Sequence, residues 1–153
     1  MTDEPGRALE PVPVGFNEAL IVDFRAHAGR VTHGPFAGRP ILLLTTTDDD
    51  GEPRTVPLSY TRDGSDYAVL ASYAGGPINP RWFRNLSARP EVTLEIGAER
   101  AMARALIVTG AARERLFALH ATQMPQFIEY QERTSRSIPV VVLRLRWAHS
   151  SDG

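Results

Sequence analysis

The chain has 153 residues, 17 basic and 18 acidic side chains, 42% hydrophobic residues and no cysteine. That length makes one domain with a substantial core, and a net charge of -1 lacks the concentrated basic face of a nucleic-acid binder. All 17 basic residues are arginine; without lysine or cysteine, Schiff-base chemistry, a P-loop, thiolate catalysis and Cys-type zinc or iron–sulfur sites are excluded.

Residues 1–14 carry Pro5, Gly6, Pro11 and Pro13 without apolar periodicity, which predicts a mobile arm before a single domain over 15–147, with a tail over 148–153. The arm begins acidic and polar, unlike a secretory signal. No apolar run reaches the ~18 residues of a membrane span, so a cytoplasmic protein without an integral membrane segment is expected. Phe16, Leu20 and Phe24, with Ile21 beside them, give one apolar face of a helix over about 16–28, with Asn17 as its N-cap.

Strands come next. Ile41 to Thr47 is β-rich and runs into Asp48-Asp49-Asp50-Gly51, an Asp-Gly turn read as a solvated hairpin. Arg54 to Tyr60 alternates with Val56, Leu58 and Tyr60 on one side, and Pro57 predicts either an edge strand or a strand with a local break. Residues 62–65 turn the chain, and Tyr67 to Ser72 returns. A glycine-rich loop over Tyr73 to Asn79 opens a short helix over about 80–87, ended by Pro90. Glu91 to Ile96 alternates cleanly and turns at Gly97 into a strand over about 100–108. Two helices follow, over 112–123 and about 126–133, separated by Pro125, and a last strand covers 139–147. The pattern predicts a mainly β, α+β domain: a small barrel of six or so antiparallel strands with peripheral helices.

Few residues invite acid–base or metal chemistry. The four histidines, His27, His33, His120 and His149, have no partner at helical metal-pair spacing, so no metal site is expected. Ser72 lacks a Gly-x-Ser-x-Gly elbow and reads as a hydrogen-bond donor at a strand end beside a glycine-rich loop. Gly75 to Leu86, with Pro80, Trp82 and Asn85 at a helix N-terminus among arginines, suits an anionic or polar ligand, with Trp82 as a flat surface. Padding of the core explains those aromatics equally well. Phe127 and Tyr130 share a helix face with Met124 just before them, the makings of an apolar pocket wall or of core.

Together the segments PILLLTTT (40–47), GEPRTVPL (51–58), ASYAGG (71–76) with NPRWFRNL (79–86), and PQFIEYQ (125–131) with RSIPVVV (136–142) resemble the actinobacterial deazaflavin-dependent nitroreductase family. That family sits within the flavin/deazaflavin split β-barrel oxidoreductases. The resemblance covers about 16–143. It implies a split barrel that holds reduced coenzyme F-420, rather than FMN, and passes a hydride to a small hydrophobic, electron-poor acceptor: a quinone, nitro compound or enone. It further implies that Arg54 holds the cofactor's anionic tail and that Pro57, Pro80, Trp82 and Asn85 line its groove. Ser72 would serve both cofactor and catalysis. Tyr130 would be the second catalytic residue, and it would wall the acceptor side with Met124 and Phe127. A homodimer is the expected assembly. Two positions depart from the family pattern. Asp48, Asp49 and Asp50 replace a basic Gly-Arg-Lys-Ser/Thr-Gly turn and should repel an anionic tail, and Met124 stands where tyrosine is common. Two alternatives use the same cavity: a cofactor-free protein for redox-neutral isomerisation or cyclisation, and a non-catalytic module for a hydrophobic ligand.

Overall fold

A computed structural model describes residues 15–146; the expected arm, the tail and Trp147 lie outside them. Helix α1 (Phe16–Ala26) leads into β1 (Ile41–Thr47), β2 (Pro53–Ser59), β3 (Thr61–Asp63) and β4 (Asp66–Leu70). A single 3-10 turn at Tyr73–Gly75 precedes α2 (Arg81–Ala88), then β5 (Glu91–Ile96) and β6 (Glu99–Val108). The described chain closes with α3 (Gly110–Gln123), α4 (Gln126–Arg133) and β7 (Val140–Leu145).

The strands form one antiparallel sheet in the order β2-β1-β5-β6-β7-β4-β3. The described residues form seven strands, where the sequence suggested about six. The extra strand is β3, whose Thr61-Arg62-Asp63 has no apolar alternation and becomes a strand by pairing with Asp66 to Ala68 of β4. The N-cap of α1 also differs from expectation: Gly15 occupies it with φ +86° and no side-chain cap bond, a conformation that favours glycine over Asn17.

The topology dictates the shape. Laid flat, seven strands would put the outer two about 29 Å apart. Yet β2 and β3, the two edges, are consecutive in the chain and joined only by Tyr60. The sheet must therefore roll until its edges meet at that residue. Among the described residues nothing pairs the two edges as a ladder, so the barrel stays split along a seam between them. Pro57 sits on edge strand β2, opposite Leu43, where the ladder tolerates a residue without an N–H.

Burial follows the pleat. Leu42 and Leu44 point into the roll with Trp82, Leu94, Val141 and Leu143, and Val56, Leu58 and Tyr60 pack on that cluster. Ile41 and Leu43 point outward beneath Leu20 and Phe24 of α1. This two-sided burial explains why β1 reads as a continuous apolar run. Elsewhere on the outer face, Leu70, Val140 and Val142 pack under Leu116 of α3 and Phe127 of α4. Helices α1 and α4 thus flank the seam, and a groove opens between them.

Candidate cofactor groove

The groove has a volume of about 960 Å³, within the range of small-molecule sites. Its lining brings together every site residue expected from the sequence: Arg54 and Pro57 of β2, Ser72, Pro80, Trp82 and Asn85, and Met124, Phe127 and Tyr130. Phe16, Leu20 and Ile21 of α1 complete one wall, a contribution not expected from the sequence, where the same residues form an ordinary amphipathic stripe.

The choice between core and pocket for several of these residues dissolves. Met124 and Phe127 are buried in the outer cluster and also face the groove. Trp82 is likewise buried in the inner cluster. Asn85 is buried, and its Nδ2 donates to Thr46 Oγ1 at 3.1 Å, which fixes the amide at the groove floor. Tyr130 stays half-buried, its ring edge-on to Phe127 at 5.1 Å between centroids.

Ser72 begins an unusual stretch of backbone. Tyr73, Ala74 and Gly75 have φ of +48°, +54° and +81°, three left-handed residues in succession, two of which carry a side chain at some cost. Arg136 holds this loop from below. Its Nε donates to Gly76 O at 2.9 Å, Nη1 to Ala71 O at 3.1 Å and Asn79 Oδ1 at 2.7 Å, and Nη2 to Ser72 O at 2.6 Å. All four acceptors are neutral, so a guanidinium without a carboxylate partner in these bonds lies under the loop that carries Ser72. Burial pulls the Arg136 guanidinium below its ordinary value, although arginine stays charged at any working pH. Gln131 ties α4 to the same region: its Oε1 accepts from Arg113 Nη2 and Ile138 N, and its Nε2 donates to Arg136 O. The Gln131 and Arg136 that mark the motif are therefore scaffold for the loop.

At the mouth, the acidic turn differs from its expected form. Asp49 and Asp50 are exposed; the former pairs with Arg89 at 3.8 Å, and the latter accepts from Glu52 N at 2.9 Å. Asp48, by contrast, is buried. Its Oδ2 accepts from Arg54 Nε at 2.9 Å, and its Oδ1 lies 3.5 Å from Arg81 Nε. Burial raises the carboxyl, but the Arg54 hydrogen bond and the Arg81 charge outweigh it and hold Asp48 below the usual carboxylate range. A wholly solvated, repelling hairpin is thus corrected to one internal carboxylate and two exposed ones. The reason is the register, Thr46 opposite Arg54, which brings that guanidinium back beside the turn.

His120 is buried with Ser59 Oγ 3.2 Å from Nε2 and Thr61 Oγ1 2.9 Å from Nδ1. It bridges the two strands on either side of Tyr60, a structural role. Among the described residues no group of three His, Asp or Glu could hold a metal, and no helix is long and apolar enough to cross a membrane.

A rolled sheet split along one seam, with one groove lined by both apolar side chains and arginines, defines a split-barrel protein. The family model described as "F420H(2)-dependent quinone reductase" matches residues 20–144. The chain is 38% identical over 127 residues to the F420H(2)-dependent quinone reductase Rv1261c of Mycobacterium tuberculosis, covering 80% of this chain and 85% of that protein. Among solved structures, F420-H2 Dependent Reductase (FDR-A) superposes with a TM-score of 0.65 and 36% identity, over 69% of this chain and 95% of its own. A second, described as a domain-swapped dimer, gives a TM-score of 0.67 and 32% identity over 83% and 93%. The chain belongs to the F420H(2)-dependent quinone reductase family.

Proposed function

We propose that this protein is an F420H2-dependent reductase whose acceptor is a small apolar quinone, with nitro compounds and enones as further acceptors of the same electronic type. The observation that carries the reading is the lining of the groove, in which apolar residues of α1 and α4 meet Arg54 and Arg81, the two arginines that share Asp48. That donor set fits a deazaflavin, whose ring is flat and largely apolar and whose tail bears a phosphodiester and carboxylates. When bound, the cofactor supplies a hydride to the acceptor.

The protein's own groups bind and orient. Trp82, Pro57 and Pro80 offer flat or rigid surfaces to the ring, and Asn85 offers a fixed amide. Ser72 and Tyr130 line the groove, and their hydroxyls would stabilise the negative charge that develops on an acceptor carbonyl. The neutral-ligated Arg136 adds positive potential beneath Ser72. Met124 leaves that wall apolar, which favours a hydrocarbon-rich acceptor. The domain-swapped relative supports a homodimer.

Titration of the purified chain with oxidised F420 and with FMN tests the cofactor assignment. F420 is expected to bind in the micromolar range, about -8 kcal/mol, and FMN more weakly; equal or tighter FMN binding overturns it. Assays of F420H2 oxidation with a quinone, a nitroarene and an enone then rank the acceptors. Arg54→Ala is expected to weaken F420 binding about tenfold at low salt, and less at high salt because the contact is half-exposed. Asp49→Arg with Asp50→Lys is expected to change affinity less than about twofold at ~0.15 M salt, since both side chains face solvent outside the groove. A large gain in affinity there would show that the tail crosses the turn.

A further inference from the structure

Arg54 belongs to edge strand β2 and Arg81 opens α2, elements that are not neighbours in the sheet. What they share is Asp48, buried between them, with one carboxylate oxygen toward each Nε. Engagement at Nε leaves the Nη1 and Nη2 ends of both guanidiniums outside the Asp48 contact, and both residues line the groove. The three groups together carry one net positive charge.

We infer that Asp48 is a positioning residue that locks Arg54 and Arg81 into a single anion-binding unit matched to a singly charged group, a phosphodiester or a carboxylate, on the ligand in the groove. The inference rests on the reductase reading in one respect, that the anion belongs to the cofactor tail. A phosphomonoester dianion, such as that of FMN, meets too little charge at such a unit to be held as well. The carboxylate's value lies in geometry. Two unrestrained arginines must lose rotamer freedom when they bind, whereas two already drawn to one carboxylate, Arg54 by a hydrogen bond and Arg81 by a 3.5 Å ion pair, start closer to the bound arrangement.

Charge alone makes the contrary forecast. If Asp48 merely diluted the positive potential, Asp48→Asn would tighten binding of an anion. If it positions the arginines, the same substitution weakens binding, by about tenfold, even though the net charge at the mouth rises by one. Arg81→Gln should weaken binding comparably, and the double variant should be little worse than either single one, because both disrupt the same unit.

The test uses the full chain and two readouts. Oxidised F420 is titrated into the wild type, Asp48→Asn, Arg81→Gln and the double variant at low and high salt. Independently, the side-chain Nε–Hε NMR signals of Arg54 and Arg81 are followed without any ligand. The Arg54 signal, hydrogen-bonded to Asp48, should be resolved and slow to exchange in the wild type, and the signals of both residues should shift in Asp48→Asn. Tighter F420 binding by Asp48→Asn, additive losses in the double variant, or unchanged Nε–Hε signals would each overturn the inference. Failure of the wild type to bind F420 would instead overturn the reductase reading, and the NMR signals would still decide the role of Asp48.

Discussion

Gly75→Ala is expected to cost about 3 kcal/mol of folding stability, the sum of a left-handed alanine and an overpacked contact. With φ at +81°, a Cβ at this position would lie 2.7 Å from Tyr130 O and 2.9 Å from Arg133 Cβ. The nearest obstacle is backbone, which cannot swing away as a side-chain tip can. The loop would have to lift off α4, and that motion separates Ser72 from Tyr130 across the groove. F420 affinity should therefore fall together with stability. Gly64→Ala is the control: it has φ +65° but open space around the added Cβ, so only the conformational cost of ~1 kcal/mol applies. Denaturant midpoints of the two variants separate the terms. Equal losses would mean that the loop is not pressed against α4.

The second large effect concerns pH. Burial lowers the His120 imidazole from 6.5 to about 4, and both ring nitrogens are occupied by the hydroxyls of Ser59 and Thr61. The unfolded chain takes up this proton near pH 6.5, whereas the folded protein resists until about pH 4. Between those values the unfolded state binds more protons, so the contribution is complete above 6.5 and drains away as pH falls toward 4. By about pH 5 the loss is ~2 kcal/mol. A His120→Gln variant should be less stable at neutral pH yet flatter across that interval, as measured by thermal melts in matched buffers. Parallel pH profiles for the two proteins would show that another group controls the acid limb. Because His120 spans the joint at Tyr60, acid should also loosen the groove before the protein unfolds.

How much of this was legible in the sequence depended on what each feature requires. Strands β1 and β5 and helices α3 and α4 announce themselves by apolar runs, alternation and breakers, which are local properties. Strand β3 does not, since Thr61-Arg62-Asp63 becomes extended only because β4 lies beside it. The groove residues Arg54, Ser72, Trp82 and Phe127 were accessible through motif resemblance, and the structure gathers them into one cavity. Asp48 was not. As one of three adjacent acids it looks solvated, and only the register of β1 against β2, with α2 across the turn, buries it between two arginines. Arg136 was visible as part of a motif but not as the support for four carbonyl-type acceptors, which lie 57 to 65 residues away in the chain. Long-range partnership of that kind leaves no periodic trace.

Strand β7 contributes no residue to the groove lining, yet the order in which the barrel can be assembled makes it decisive. Pairs β1–β2, β3–β4 and β5–β6 are neighbours in sequence and can form as soon as they are synthesised. The strand that sits between β6 and β4 arrives last. Until Val140 to Leu145 is in place, a four-stranded piece and a two-stranded piece are connected only through Tyr60 and the chain between β4 and β5. The two sides of the groove belong to different pieces, Arg54 to the first and Ser72 to the end of the second. A nascent chain therefore has no binding site until its final strand closes the sheet, and ligand cannot template an earlier step.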